Sequence, residues 1–188
     1  MAKTTRPKRP ATRIMGNEPR SAAPGILPDR LGEHASAIAL LTNAFHLRHL
    51  LRLYATFDGD ILEAVVLGEV AHHNFSTMIA KTDSPREFSA LVRSHKESGV
   101  PPQLPTNAYS ISAATGIPRE TVRRKVRSLI EKHLLRRDDR GNLFTTPYAP
   151  EHFAAFTAES VAQILATCRQ IGALLGDERG PDTPLVRK

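Results

Sequence analysis

The residues best suited to chemistry lie in one short segment. Arg119, Glu120, Thr121, Arg123, Arg124, Lys125 and Arg127 follow one another within nine positions, interleaved with the apolar Val122 and Val126. On a helix of 100° per residue, Val126, Leu129 and Ile130 fall within about 80° of Val122 and form a face to be buried. Glu120, Arg124, Arg127 and Glu131 point the other way, and Arg123 and Lys125 lie on the flanks. A helix so arranged fits the major groove of DNA, where central arginines meet base edges and flanking cations meet phosphates. Arg140, in the turn Asp138-Asp139-Arg140-Gly141, adds a further cation nearby. A bland alternative is a surface helix with a solvated charged face, on which Glu120 pairs with Arg124 at i,i+4.

Other reactive side chains form no comparable pattern. His46 and His49 are three apart and His72-His73 are adjacent, but neither pair has a partner at metal-ligand spacing, so packing or surface roles are expected and no metal. Cys168 stands alone; it falls on an apolar stripe and is expected to be a small buried residue. It cannot form an intramolecular disulfide, which suits a reducing, cytoplasmic setting. Asp58 and Asp60 read as turn and cap residues. There is no Gly-rich phosphate loop after a strand, no nucleophile elbow and no distinctive carboxylate pair, so neither enzymatic activity nor a cofactor is expected.

Charge is unevenly spread over the 188 residues. The net charge of +7 divides into +5 over residues 1–30, −2 over 31–105, +5 over 106–146 and −1 over 147–188. Two basic blocks in mildly acidic surroundings are the electrostatic footprint of a polyanion-binding protein. Hydrophobic residues at 40% and charged ones at 24% allow a core. The longest charge-free stretch of the N-terminal half, His34 to Leu47, is too short to span a bilayer, and no membrane partner is expected. MAKTTRPKRP lacks the apolar stretch of a signal peptide and reads as part of a basic tail.

The elements that must position the basic segment follow from periodicity and punctuation. Residues 1–30, with five prolines, are expected to be a disordered tail. Leu31 to Phe57 reads as a helix with a wide apolar face, broken at Asp58-Gly59-Asp60, and Ile61 to about His73 as a second. A weaker helix is expected over Pro85–Glu97, then a proline-rich linker over Gly99–Pro105. Ile111–Thr115 forms a short helix, Gly116 a tight turn, and Pro118 opens the basic helix. Leu134–Arg137 and Asn142–Thr146 form a β-hairpin. Glu151 to Leu175 reads as a long helix with Val161, Ile164, Cys168, Ile171 and Leu175 on one stripe. The expected fold is mainly α, a helical bundle with a central winged helix-turn-helix. Its parts are a tail (1–30), a helical dimerisation or effector region (31–105), the DNA-binding domain (106–147), a C-terminal dimerisation helix (148–176) and a polar tail (177–188).

The run Gly116-Ile117-Pro118-Arg119-Glu120-Thr121-Val122, with Arg124, Val126, Leu129, Leu134 and Leu135, resembles the DNA-reading segment of the catabolite-activator family of bacterial winged helix-turn-helix regulators. The resemblance covers about 40 of 188 residues, and implies that Arg119, Glu120 and Arg124 read bases. The sequence departs from the family at Pro118, where a Ser or Thr cap is usual, and at Lys125 and His133, where an apolar residue and often a glycine would stand. The helical character of residues 31–98 leaves no cyclic-nucleotide domain upstream, so the family's effector does not carry over. In layout, the chain is loosely similar to multiple-antibiotic-resistance regulators.

These readings converge on a homodimeric transcriptional regulator that binds double-stranded DNA sequence-specifically. The alternatives are a non-sequence-specific nucleic-acid or scaffold protein, and a helical ligand-binding or enzymatic domain with the winged helix as adaptor. The operator, the effector and the sign of regulation are open at this stage.

Overall fold

A computed structural model describes residues 28–80, 84–87, 89–91 and 103–176. The expected tails up to residue 27 and beyond 176, the end of the Pro85–Glu97 helix and most of the Gly99–Pro105 linker lie outside the described residues. The chain divides into two units, residues 42–167 and residues 1–41 with 168–188. In the smaller, α1 (Pro28–Glu33) is followed by the start of α2 (Ala35–Thr56). The continuous helix expected from Leu31 is therefore interrupted at His34, whose N–H still bonds the Arg30 carbonyl at 3.1 Å.

The larger unit carries the core. α2 ends in a Schellman arrangement: Asp58 takes a left-handed conformation (φ 50°), the Gly59 N–H bonds the Tyr54 carbonyl at 2.7 Å, and the Asp58 N–H bonds that of Ala55 at 3.4 Å. The Asp60 carboxylate then accepts the Glu63 N–H at 3.1 Å and caps α3 (Ile61–Ala80). This helix runs a further two turns beyond the His73 expected from its apolar pattern. The extension is held by Asn74, which is fully buried. Its amide donates to the Leu104 and Leu143 carbonyls at 2.8 and 3.1 Å and accepts the Thr145 N–H at 2.9 Å. A polar residue without apolar periodicity can thus anchor a helix through tertiary bonds.

α4 (Ala108–Thr115) begins at Asn107, whose side chain accepts the Tyr109 and Ser110 N–H groups. Gly116 follows at φ 73°, in the left-handed region that the turn requires. α5 (Arg119–Glu131) starts behind Pro118, which offers no side-chain cap. β1 (Leu135–Arg137) and β2 (Leu143–Thr145) pair antiparallel, with Leu135 opposite Thr145 and Arg137 opposite Leu143. Residue 106 covers the other edge of β2, the Leu143 N–H bonding the Thr106 carbonyl at 2.7 Å. α6 (Tyr148–His152) and α7 (Ala154–Leu175) replace the single helix expected from Glu151. They part at Phe153, whose ring stacks on Phe57 with centroids 5.4 Å apart.

Val66 and Val70 of α3, Ile111 of α4, Val122, Val126 and Leu129 of α5, and Leu135 and Leu143 of the hairpin share one buried cluster. The boundary expected at residues 105/106 therefore does not divide the structure. α3 belongs with the segment that follows it, because its apolar face is the wall on which α4, α5 and β2 pack. The described residues are mainly helical with one small antiparallel hairpin, as expected at that level. No helix among them is long and apolar enough to cross a membrane.

Candidate nucleic-acid interface

Burying Val122, Val126 and Leu129 fixes what the rest of α5 can face. Three polar faces result. The first holds Arg119, Arg123 and Arg127, one turn apart and exposed, turned toward the hairpin. With Arg137 and Arg140 they line an open cleft of about 950 Å³, to which Tyr109 and Asn142 also contribute. Five guanidinium groups against the one carboxylate of Glu131 around this concavity make an anion-attracting surface. The Arg119 guanidinium lies 5.8 Å from the centre of the Tyr109 ring, near enough for a cation–π contact.

The second face is the outermost. Arg124 is exposed and forms no ion pair among the described residues. Glu120, next to it, pairs with Arg123 at 2.8 Å, not with Arg124 as the i,i+4 alternative had it. The i+3 position lies on the cleft side, and the pairing leaves the Arg124 guanidinium free. Thr121 is half-buried.

The third face turns inward, which corrects the expectation for Lys125. Its ammonium is ion-paired with Asp60, and its side chain keeps only 13% of its exposure. Lys132, two turns on, pairs with the buried Glu63 at 3.0 Å. A flank position on the wheel is ambiguous because either flank can meet a neighbouring element, and here α3 occupies one of them. Burial raises the Asp60 pKa. The hydrogen bond from Lys125, the Glu63 N–H, and the charges of Lys125 and Lys132 outweigh that, leaving the carboxyl below its ordinary value.

The hairpin tip is organised by Asp138. Its carboxylate accepts the Asn142 and Arg140 N–H groups at 2.8 and 3.0 Å and the Asn142 amide at 2.9 Å. The bond from the Asn142 side chain is the largest effect on Asp138; with the two N–H groups and the Arg140 charge it holds the carboxyl below its usual range despite some desolvation. Gly141 completes the turn at φ 84°. Arg140 is thereby held at the cleft, while Arg136 lies over the Phe144 ring at 4.3 Å on the outer side of the hairpin.

Sequence reasoning missed Arg137, Tyr109 and Asn142. The signal for Arg137 was the two-residue alternation from Leu135, which places both on one side of the strand. Departures from the resembled family also acquire reasons. His133 occupies the left-handed position (φ 59°) after α5, where the Leu134 N–H reaches the Leu129 carbonyl at 2.9 Å, a site that favours glycine.

Outside this surface, His49 lies between the rings of Phe45 and Phe156. Burial, then the charges of Arg52 and His46, lower its pKa. The His73 ring nitrogen lies 3.2 Å from the Pro105 carbonyl. No group of three His, Cys, Asp or Glu suited to a metal occurs among the described residues. Cys168 is exposed rather than buried: of its apolar stripe Val161 and Ile164 are exposed as well, Ile171 and Leu175 are half-buried, and Phe156, Gln163 and Thr167 take half-buried positions beside the stripe. No protein-family model, curated protein or solved structure matches the chain.

Proposed function

We propose that the protein is a sequence-specific DNA-binding transcription regulator, acting as a homodimer through a winged helix-turn-helix made of α3, α4, α5 and the hairpin. The observation that carries this reading is the division of α5. Arg124 projects unpaired from the outer face, while Arg119, Arg123 and Arg127 line the cleft shared with Arg137 and Arg140. An unpaired arginine on the outermost line of a helix is suited to a guanine edge, and a row of cations beside it to one phosphate strand. Glu120 and Thr121 stand at the start of the helix, from which base edges are commonly contacted.

Two copies are supported by what α2 and α7 leave uncovered. α2 has 22 residues and none is buried. Leu47, Leu50, Leu51 and Tyr54 on α2, with Val161, Ile164 and Leu165 on α7, are 43–58% exposed. Seven such side chains present on the order of 700 Å² to water, near the ~800 Å² per partner of a standard interface. A two-fold pair would set two α5 helices one DNA turn apart, about 34 Å.

The test is to select bound fragments from random or genomic DNA, then titrate the winner against bulk competitor at fixed salt. A regulator prefers its site by about 10³-fold or more. A flat competition curve would instead establish the non-specific reading.

A further inference from the structure

The inward face of α5 is unusual in being polar. Lys125, Ser128 and Lys132 follow 3,4 spacing, so they form one line, and all three end on the first turn of α3. Lys125 pairs with Asp60; the Ser128 hydroxyl donates to the Glu63 carboxylate at 3.1 Å, and Lys132 reaches the same carboxylate at 3.0 Å. Glu63 is 3% exposed. Asp60 is itself fixed, since it caps α3 and follows the left-handed Asp58-Gly59 turn.

Apolar contacts set how deeply α5 is seated, but they are non-directional and tolerate rotation of a helix about its own axis. Charge-assisted hydrogen bonds have direction and length. A roll of α5 by a fraction of a turn would break this line on one side and carry Arg124 off the outermost position on the other.

We infer that Asp60 and Glu63 are positioning residues for DNA reading: through Lys125, Ser128 and Lys132 they fix the roll of α5, and so decide which side chains meet the bases, without touching DNA themselves. The inference rests on the reading of α5 as the DNA-contacting helix. It assigns Lys125 and Lys132 to this clamp, and so removes Lys125 from the flanking cations expected to meet phosphates.

The two roles of a lysine separate in one experiment. Lys125→Met and Lys132→Met are compared with the full-length wild type for binding to the selected duplex and to a random duplex, over a range of salt. Lys132→Met alone would leave the buried Glu63 charge unpaired, so it is made together with Glu63→Gln, which leaves a folded protein even where Lys125→Met does not. Both variants are expected to lose about fivefold or more in the ratio of selected to random affinity, while the salt dependence on random DNA stays as in the wild type. A merely structural defect would weaken both duplexes alike and leave the ratio intact. A phosphate contact would lower the salt slope by about one with the ratio unchanged. Either result overturns the clamp. A wild type with no preferred duplex overturns the DNA-reading assignment itself, and the clamp with it.

Discussion

Arg124 is the residue on which the proposed base reading turns. It alone among the α5 arginines named above neither lines the cleft nor pairs with a carboxylate. Replacing it by alanine removes a planar, five-donor group that can meet guanine bidentately. Arg124→Ala should therefore cost about 1–3 kcal/mol on the selected site and flatten discrimination at one base pair. Fluorescence anisotropy on the site and its single-base variants measures both. Equal loss on random DNA would reassign Arg124 to a phosphate. Asp60 gives a prediction of a different kind. Its folded-state pKa lies below the ordinary 3.8, so its ionised form favours folding. That contribution is complete above the unfolded-state value and is lost as pH falls through the lowered folded-state one. Urea unfolding between pH 6 and pH 3 should accordingly show a smaller loss for Asp60→Asn than for the wild type.

At the scale of elements, helix ends account for most of what could be read in advance. Gly116, Pro118 and the 3.6-residue recurrence of Val122, Val126 and Leu129 mark α4, the turn and α5 to within a few residues, because those signals are local. What could not be read is non-local. The partner of Lys125 lies 65 residues away, and the bonds that extend α3 past His73 reach residues 69 and 71 positions on. No window on the sequence contains both ends. The hairpin edge formed by Thr106, and the cleft made jointly by α5 and Arg137, depend on the same long-range packing. His133 lies between these cases. Its left-handed backbone follows from the helix end, yet the residue itself disfavours it. His133→Gly should thus raise stability by about 1 kcal/mol and lift the melting temperature by a few degrees. Thermal unfolding followed by circular dichroism checks it, and a lowered melting temperature would mean that the imidazole contributes more than the backbone loses.

For the whole molecule, the exposed faces of α2 and α7 are the feature that a single chain leaves unexplained. So many half-exposed apolar side chains on two helices mark a candidate interaction site. Leu47 and Ile164 are about half exposed in one chain, so charges there disturb an interface far more than a core. Leu47→Glu with Ile164→Glu should keep the helical content and become monomeric at micromolar concentration by sedimentation. Operator binding should fall with it, since one winged helix reads only a few base pairs. A wild type that is itself monomeric under those conditions would remove the dimer from the proposed function.

Asn74 bears on how the chain reaches this state. Three paired positions make β1 and β2 too short to persist as an isolated hairpin, and the amide that secures β2 is supplied from α3. Loop closure over some seventy residues must therefore come before the hairpin is secured, which places β1 and β2 among the last parts to order and makes folding slower than local helix formation would allow. A fragment cut at residue 106 would lack that amide and the α3 wall. One beginning at Asp58 would keep both, and it is the shorter piece that should collapse into an unstructured peptide.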